Sequence, residues 1–191
     1  MAIGFDGMVD CTAAAENQLF ELLEYIMRKL RASLLLSILV LVVGCSQSVD
    51  PKSDETAKWV LTQGGTLWVH GSQLEIVSAK KLPDHPFAFR RIDLNDTEIA
   101  DDDLTEINSL TSLEYLGLHG TEITDTGVES LTTHHQLQEL ELSYTQITDA
   151  GLVKLSTLPN LGKLFVYHTA ITPAGIEKFK ELAPNCQLFS D

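Results

Sequence analysis

Two adjacent stretches of sequence decide the fold. LGLHGTEITDTGVESLTTHHQLQE occupies residues 116–139, and LELSYTQITDAGLVKLSTLPNLGK follows at residues 140–163. Each stretch has 24 residues, and their Leu, Thr, Ile, Asp and Gly residues fall at equal offsets. The same offset extends in both directions, so the region is a repeat array. The columns include Ile92, Leu116, Leu140, Leu164 and Leu188; Thr97, Thr121, Thr145 and Thr169; Ile99, Ile123, Ile147 and Ile171.

The repeating unit can be written LxxLxLxxTxITDxGLxxLxxL. It resembles the ITDxGL subtype of leucine-rich repeat, as in ribonuclease-inhibitor-like and F-box-associated arrays. The resemblance covers residues 89–191. It implies an α/β fold: a short solenoid of about four 24-residue strand–helix repeats. The preceding residues 58–88 resemble the N-terminal cap of bacterial repeat proteins.

The polar columns have expected structural roles. The Thr column that begins at Thr97 should donate hydrogen bonds to the backbone where the chain leaves each strand. The Thr of each ITD motif should cap a helix, because Thr172 is followed by Pro173, and Pro favours the first helical position. Gly follows because a side chain would strike the neighbouring coil. The first copy departs from this pattern at Ala100 and Asp103, which predicts a looser edge repeat.

A targeting segment precedes the repeats. Residues 27–31 (MRKLR) carry three positive charges, and the uncharged stretch 32–43 follows, ending at Val42-Val43-Gly44-Cys45. Twelve helical residues span roughly 18 Å, less than the ~30 Å of a bilayer core, so a signal peptide over 27–44 is favoured over a spanning helix. The ending resembles the bacterial lipoprotein lipobox. That resemblance implies cleavage before Cys45, lipidation of its thiol, and outer-membrane sorting through Ser46; the alternative is an ordinary signal peptide.

Residues 1–26 do not fit a signal peptide, because they carry five acidic residues and no Lys or Arg. The simplest hypothesis is that translation starts at Met27 and that 1–26 is a mis-called extension. The alternative is a cytosolic amphipathic helix leading into an uncleaved anchor.

A tether and a cap connect this segment to the repeats. Residues 45–57 are predicted to be the lipidated Cys and a polar tether. A short helix around Trp59 is predicted at the start of the cap, with its N-terminus capped near Ser53 or Asp54. Residues 66–70 and 74–77 should form a hairpin, followed by a loop over 80–86.

The outward strand positions form the candidate binding surface. Unlike the core columns they do not repeat, which is expected of a concave sheet shaped for a protein partner. Three of these residues, Tyr115, Phe165 and Tyr167, are the expected aromatic anchors. The predicted partner-binding set is Arg91, Asp93, Asn95, Tyr115, His119, Glu139, Glu141, Ser143, Lys163, Phe165 and Tyr167.

Other candidate sites have simpler explanations. His134-His135 has no further ligand at metal spacing, and Asp101-Asp102-Asp103 is better explained as acidic first-turn residues than as a Ca²⁺ loop. Cys186 fits a small buried residue. A Ser143–His119–Glu141 hydrolase is disfavoured because a small solenoid offers no deep pocket. No cofactor motif is present.

Charge excludes one class of partner. The chain has 13 Lys and Arg against 27 Asp and Glu, a net charge of −14. Removing the five acids and three bases of the first 45 residues leaves 22 acids against 10 bases. No basic cluster appears, so nucleic acid is excluded.

The sequence therefore predicts a non-enzymatic, lipid-anchored repeat protein of a bacterial cell envelope, on the outer membrane or facing the periplasm. It would bind a protein partner on its concave face. The alternative is a structural module that self-associates through its terminal strand, because the last copy has no obvious polar cap.

Overall fold

The computed structural model describes residues 49–50 and 52–191, which lie in one compact unit, Gln47–Asp191. The expected extension over 1–26, the signal peptide over 27–44 and the lipidation site Cys45 lie outside the described residues. No helix in the described part of the chain is long and apolar enough to cross a membrane.

Strands and helical segments alternate along this unit. A six-stranded sheet has its strands in chain order. Helical segments follow β2 to β5, and β6 ends the array. The elements are α1 (Ser53–Thr62), β1 (Thr66–Val69), a 3₁₀ turn (Ala79–Lys81), β2 (Phe89–Asp93), a 3₁₀ helix (Asp101–Glu106), β3 (Tyr115–Gly117), α2 (Asp125–Leu131), β4 (Glu139–Glu141), α3 (Asp149–Leu155), β5 (Lys163–Phe165), α4 (Pro173–Leu182) and β6 (Gln187–Phe189).

The 24-residue offset is the register of the parallel sheet. Ile92 pairs with Leu116, Leu116 with Leu140, and the series continues through Leu164 to Leu188. The first four side chains of this column are fully buried, so every copy adds the same apolar group to a continuous core. This confirms the predicted α/β solenoid.

The Thr column forms the predicted ladder. The hydroxyls of Thr97, Thr121, Thr145 and Thr169 each donate to the carbonyl three residues back, at 2.6 to 2.9 Å. That carbonyl lies at the strand exit, where the sheet no longer satisfies every acceptor. The ladder therefore stabilises the turn that redirects each copy from strand to helix.

A second ladder, the Asp–Thr ladder, joins each copy to the next through the ITD motif. The Asp125 carboxylate accepts from the backbone N–H of Thr148 at 2.8 Å and from its hydroxyl at 2.6 Å. Asp101 holds Thr124 in the same way, and Asp149 holds Thr172. Each Thr hydroxyl also accepts from a backbone N–H in the first turn of its own helix, which confirms the predicted capping role.

The Asp–Thr ladder explains the glycine of the motif. A Cβ placed on Gly151 would lie 2.3 Å from Oδ1 of Asp125, and one on Gly127 would meet Asp101 at the same distance. The sequence predicted that a side chain at this glycine would strike the neighbouring coil. The group that it would strike is the Asp carboxylate of the preceding copy. The first copy has no such carboxylate before it. There Asp103 replaces Gly, and its Oδ2 accepts from the N–H of Ala100 at 2.9 Å.

The N-terminal cap differs from the predicted hairpin. β1 pairs antiparallel with β2, extending the repeat sheet. The second predicted strand, 74–77, is reduced to a single bridge between Leu67 and Ile76. Only Ile76 of that stretch is buried, whereas Leu74 is 76% exposed, so there was no apolar face to hold a full strand.

The first helix starts close to the predicted position. α1 begins at Ser53, one of the two residues near which a cap was expected, but Lys52 precedes it with φ 60° and no side chain caps the helix. Asp50 is 1% exposed and accepts from the N–H of Phe89 at 2.6 Å and the hydroxyl of Ser112 at 2.7 Å. A buried carboxylate needs such donors, so Asp50 fixes the cap to the first two copies.

Candidate functional site: the open face of the sheet

Alternate strand residues point away from the core and form what we call the open face, the surface predicted to be concave. The strand register places Arg91, Tyr115, Glu139 and Lys163 in one column. Asp93, Gly117, Glu141 and Phe165 form the next column, which ends at Phe189. The side chains predicted to share a surface are therefore neighbours in space.

The predicted aromatic anchors do not form one cluster. The guanidinium of Arg91 lies 3.9 Å from the centre of the Tyr115 ring and 5.7 Å from that of Trp68 on β1. Tyr115 leans across the sheet, with its hydroxyl above Gly117 and against Asn95. Burial first, and then the Asp93 carboxylate, raise the pKa of Tyr115, so its hydroxyl stays protonated at neutral pH.

A separate aromatic pair lies at the C-terminal end of the sheet. Phe165 and Phe189 stack with ring centres 4.6 Å apart and planes inclined by 10°. Both rings are only half-buried, and β6 has a neighbouring strand on one side only. Phe189 was not among the predicted site residues, although it continues the Phe165 column one repeat later.

Two predicted site residues are used by the backbone instead. Ser143 is 2% exposed, and its hydroxyl accepts from the N–H of Tyr167 at 3.1 Å. Asn95 Oδ1 accepts from the N–H of His119 at 2.7 Å. Both side chains accept a hydrogen bond from a backbone N–H of the following copy, beyond the point where the strands separate. Ser143 is thus a structural residue and not an exposed contact.

His119 is surrounded by carboxylates and rings, not by a nucleophile. Its Nε2 lies 3.9 Å from Asp96, and its Nδ1 lies 3.9 Å from Glu141. Its ring centre is 5.0 Å from that of Tyr144. Ser143, the predicted neighbour of His119, is buried, and its hydroxyl accepts from the N–H of Tyr167.

Beyond the strand ends lies a row of rings that we call the ring ridge: His119, Tyr144 and His168. Tyr144 and His168 stack at 4.3 Å with planes only 7° apart. Tyr144 is 52% exposed. The Asp191 carboxylate contacts the Nδ1 of His168 at 3.4 Å. No residue of the ridge except His119 was singled out from the sequence.

The backbone beneath the ridge is strained. Asp96, Tyr144 and His168 have φ between 53° and 59°, and Gly120 occupies the same column with φ 68°. Left-handed backbone is unfavourable for a residue with a Cβ, and glycine avoids that cost. Gly120 is the sequence signal that marks this column as a turn at the strand exit.

The other residues considered as candidate sites make contacts within the fold. His134 is buried, with Nδ1 2.9 Å from the carbonyl of Leu110. Cys186 is also buried, which raises the pKa of its thiol to about 11. Among the described residues, no group of three His, Cys, Asp or Glu side chains could hold a metal ion. Asp101 and Asp103 are engaged with Thr124 and Ala100, as expected of first-turn acids.

A shallow groove of about 510 Å³ lies at the strand entrances of the last copies. Its lining is polar and contains no Ser, Cys or His side chain. The residues are Gln136, Gln138, Glu139, Asn160, Gly162, Lys163 and Gln187.

The family comparison agrees with this geometry. Residues 109–131 and 133–156 match the model described as Leucine Rich repeat. These two stretches are similar to leucine-rich repeats, and they lie within the α/β solenoid described above. Solenoids of this type are typically non-enzymatic protein-interaction modules, with the open sheet as an extended contact surface. No curated protein matches the sequence significantly.

Three solved structures are similar to part of this chain at low identity. An internalin (inlF) from Listeria monocytogenes is 17% identical, with 53% of this chain and 34% of the internalin aligned and a TM-score of 0.39. A leucine-rich-repeat protein of Leptospira interrogans is 21% identical over 52% of this chain and 36% of its own, with a TM-score of 0.29. Leiomodin-1 Actin-Binding Site 2 is 14% identical over 74% and 80%, with a TM-score of 0.48. This chain thus spans about a third of the two bacterial proteins.

Proposed function

We propose that this protein is a non-enzymatic binding protein of a bacterial cell envelope, tethered by lipid on Cys45, and that the open face of its solenoid binds a protein partner. The observation that carries the proposal is the contrast between columns. The buried columns repeat the same residue types, whereas the open-face columns change from Arg91 to Tyr115 to Glu139 to Lys163. Variation along the solvent-facing side of the sheet supports a role in recognition.

The half-buried aromatic pair is expected to contribute most of the binding energy of this surface, because aromatic rings bury a large apolar area in protein contacts. Phe165 and Phe189 place two stacked rings beside the open edge of β6. Aromatic side chains with apolar surroundings contribute most of the binding energy at typical interfaces. Asn95 and Ser143 are not expected to contribute, because their polar atoms are already bonded to the backbone.

Affinity capture from envelope extract with the detergent-solubilised full chain tests the proposal. Replacing Phe165 and Tyr167 together by Ala should remove the specific partner from the captured proteins. The matched control is Val153→Ala, which removes an exposed apolar group from α3 on the opposite side of the repeat. If both variants recover the same proteins as the wild type, the open-face assignment is wrong.

The lipid anchor requires its own measurement. Mass spectrometry of the mature N-terminus should find a chain that starts at Cys45 and carries acyl groups. A mature protein that retains residues 1–26 would contradict both the anchor and the proposed start at Met27.

Self-association through the terminal strand is a second candidate. The edge of β6 is open, which favours pairing with another copy. However, Pro173 stands where Asp125 and Asp149 hold the following copy, so the Asp–Thr ladder has no acceptor for another repeat. Sedimentation of the full chain over a range of concentrations separates the two, because a strict monomer counts against assembly.

A further inference from the structure

The charges of the open face are separated by column. The basic residues that the open face carries on β2 to β5 are Arg91 and Lys163, and both lie in the first column. Arg91 covers the ring of Tyr115, and the Nζ of Lys163 lies 3.5 Å from the Glu139 carboxylate. The columns that pass through Asp93, Asn95 and Asp96 contain no Lys or Arg at all. The ring ridge therefore lies at the side of the open face that bears only acidic formal charge.

The ridge combines an exposed tyrosine, Tyr144, with carboxylates that lie close to the two flanking imidazoles. Tyr144 stacks on His168 at 4.3 Å and lies 5.0 Å from His119. Asp96 and Glu141 lie 3.9 Å from the His119 imidazole, and Asp191 lies 3.4 Å from that of His168. The carboxylates outnumber the imidazoles, so the ridge is not neutralised by its own side chains.

The ridge is also maintained against a backbone cost. Tyr144 and His168 adopt left-handed φ angles in a column where Gly120 shows that glycine fits the same turn. The amide of Tyr144 bonds to the carbonyl of Tyr167, a bond that any residue type would make. The ring of Tyr144 is thus dispensable for the turn, and strain that the fold does not require points to a functional use of the side chain.

We propose that the ring ridge binds a lysine- or arginine-bearing segment of the partner. This deepens the proposed function and rests on it. The stem of a cationic side chain would pack against the exposed part of Tyr144, and its charge would pair with Glu141 or Asp191. Charge complementarity selects this occupant, since an acidic segment would face uncompensated carboxylates on the ridge side of the sheet.

The probe for this proposal is a fluorescent decapeptide of alternating lysine and glycine, titrated by anisotropy against the detergent-solubilised full chain at low salt. Its partner probe is the same peptide with every lysine acetylated, which removes the charge and keeps the length. The lysine peptide should bind at least about tenfold more tightly than the acetylated one, and raising the salt should weaken it. Equal binding of the two peptides, or no binding of the lysine peptide, overturns the proposal.

An acidic protein attracts any polycation, so the decisive variant leaves the charge unchanged. Tyr144→Gly removes the ring on which the lysine stem would pack and suits the left-handed backbone, and it should weaken binding of the lysine peptide about fivefold. Lys52→Gly is the strain-matched control, because Lys52 has φ 60° and lies outside the open face. It should not weaken peptide binding; its removal of one positive charge can only favour a cationic ligand.

The carboxylates are tested with variants that keep their acceptor oxygens. Glu141 accepts from the N–H of Ser143 and Asp191 from that of His168, and Gln or Asn retains an acceptor for each. The double variant E141Q and D191N should weaken the lysine peptide at least as much as Tyr144→Gly. Wild-type affinity in either variant overturns the ridge assignment. Capture that still depends on Phe165 and Tyr167 would leave the proposed function standing, so the two failures are distinguishable.

Discussion

The Asp–Thr ladder and the ring ridge occupy successive turns of the same repeats, but their sequences behave in opposite ways. Asp101, Asp125 and Asp149 recur without change because each carboxylate holds the next copy by two hydrogen bonds. In the ridge-side turn, Asp96 is followed by Gly120, Tyr144 and His168. The backbone conformation is conserved there from copy to copy while the side chain is not.

The difference shows what a repeat array must keep constant. Where a side chain binds the neighbouring copy, every copy needs it, and substitution should disturb the solenoid. Where only backbone groups connect the copies, as in the bond from the Tyr144 amide to the Tyr167 carbonyl, side chains are available for other uses. We therefore infer that stability and recognition depend on different turns of one repeating unit.

The largest effect should follow from placing a methyl group in the Asp–Thr ladder. Gly151→Ala puts its Cβ 2.3 Å from Oδ1 of Asp125, which cannot move without losing its bonds to Thr148. We expect the free energy of unfolding to fall by about 3 kcal/mol, from overpacking and lost hydrogen bonds. Denaturant titration of the full chain, followed by circular dichroism, measures this.

A matched glycine and a double variant test the cause. At Gly162 the nearest atom to an added Cβ is 3.5 Å away, so Gly162→Ala should change stability by less than about 0.5 kcal/mol. Adding Asp125→Ala to Gly151→Ala should cost no more than Asp125→Ala alone, since the clashing carboxylate is gone. Additive losses in the double variant would show that the ladder is not the reason for the glycine.

His134 is an exception among the buried columns, because it places a polar side chain where the other copies have leucine. It occupies the column of Leu110, Leu158 and Leu182, and its Nε2 has no hydrogen-bond partner among the described residues. Burial lowers the pKa of His134 below 6.5, because the interior disfavours the charged form. The unfolded chain therefore binds a proton at this residue more readily than the folded chain, and stability falls as the pH drops below the unfolded value.

His134→Leu should reduce that acid-induced loss of stability, because leucine has no group that titrates. At neutral pH the free energy of unfolding should change little, since removal of the unpaired Nε2 is offset by loss of the 2.9 Å bond to the Leu110 carbonyl. The measurement is the pH dependence of unfolding between pH 7.5 and 5 for both proteins. His135→Leu is the control, because His135 is exposed and its loss should leave the pH slope near that of the wild type. An unchanged slope in His134→Leu would mean that another group causes the acid sensitivity.

The repeats could be predicted from sequence because each column reports the same environment several times. The core register, the Thr ladder and the capping Thr–Asp pair all follow from residues that recur at 24-residue spacing. The cap occurs once and has no such redundancy. Leu74 and Val77 suggested a strand by local alternation, yet no apolar surface covers them in the fold.

Polar residues with long-range partners were the other source of error. Asp50 reads as part of a polar tether, but its acceptors bind Phe89, Thr111 and Ser112, which are 39 to 62 residues away. Ser143 reads as an outward strand residue, but it lies where the strand ends and the next amide needs an acceptor. Local pattern gives no information about such partners, whereas it placed Arg91, Tyr115, Glu139 and Lys163 in the correct column.

The smallest expected effect on stability comes from substitutions at Tyr144 in the ring ridge. There glycine should be more stable than alanine, the reverse of the usual order inside a helix. At Tyr144, φ is 59°, so glycine should give a more stable protein than alanine by about 1 kcal/mol. At Val153, an exposed position inside α3, alanine should be the more stable of the two by a similar amount. Thermal unfolding of the four variants gives both differences. If alanine and glycine have the same order of stability at both positions, the backbone beneath the ridge is not strained. The contrast between a turn that holds the solenoid together and a turn that carries a side chain for another purpose would then lose its evidence.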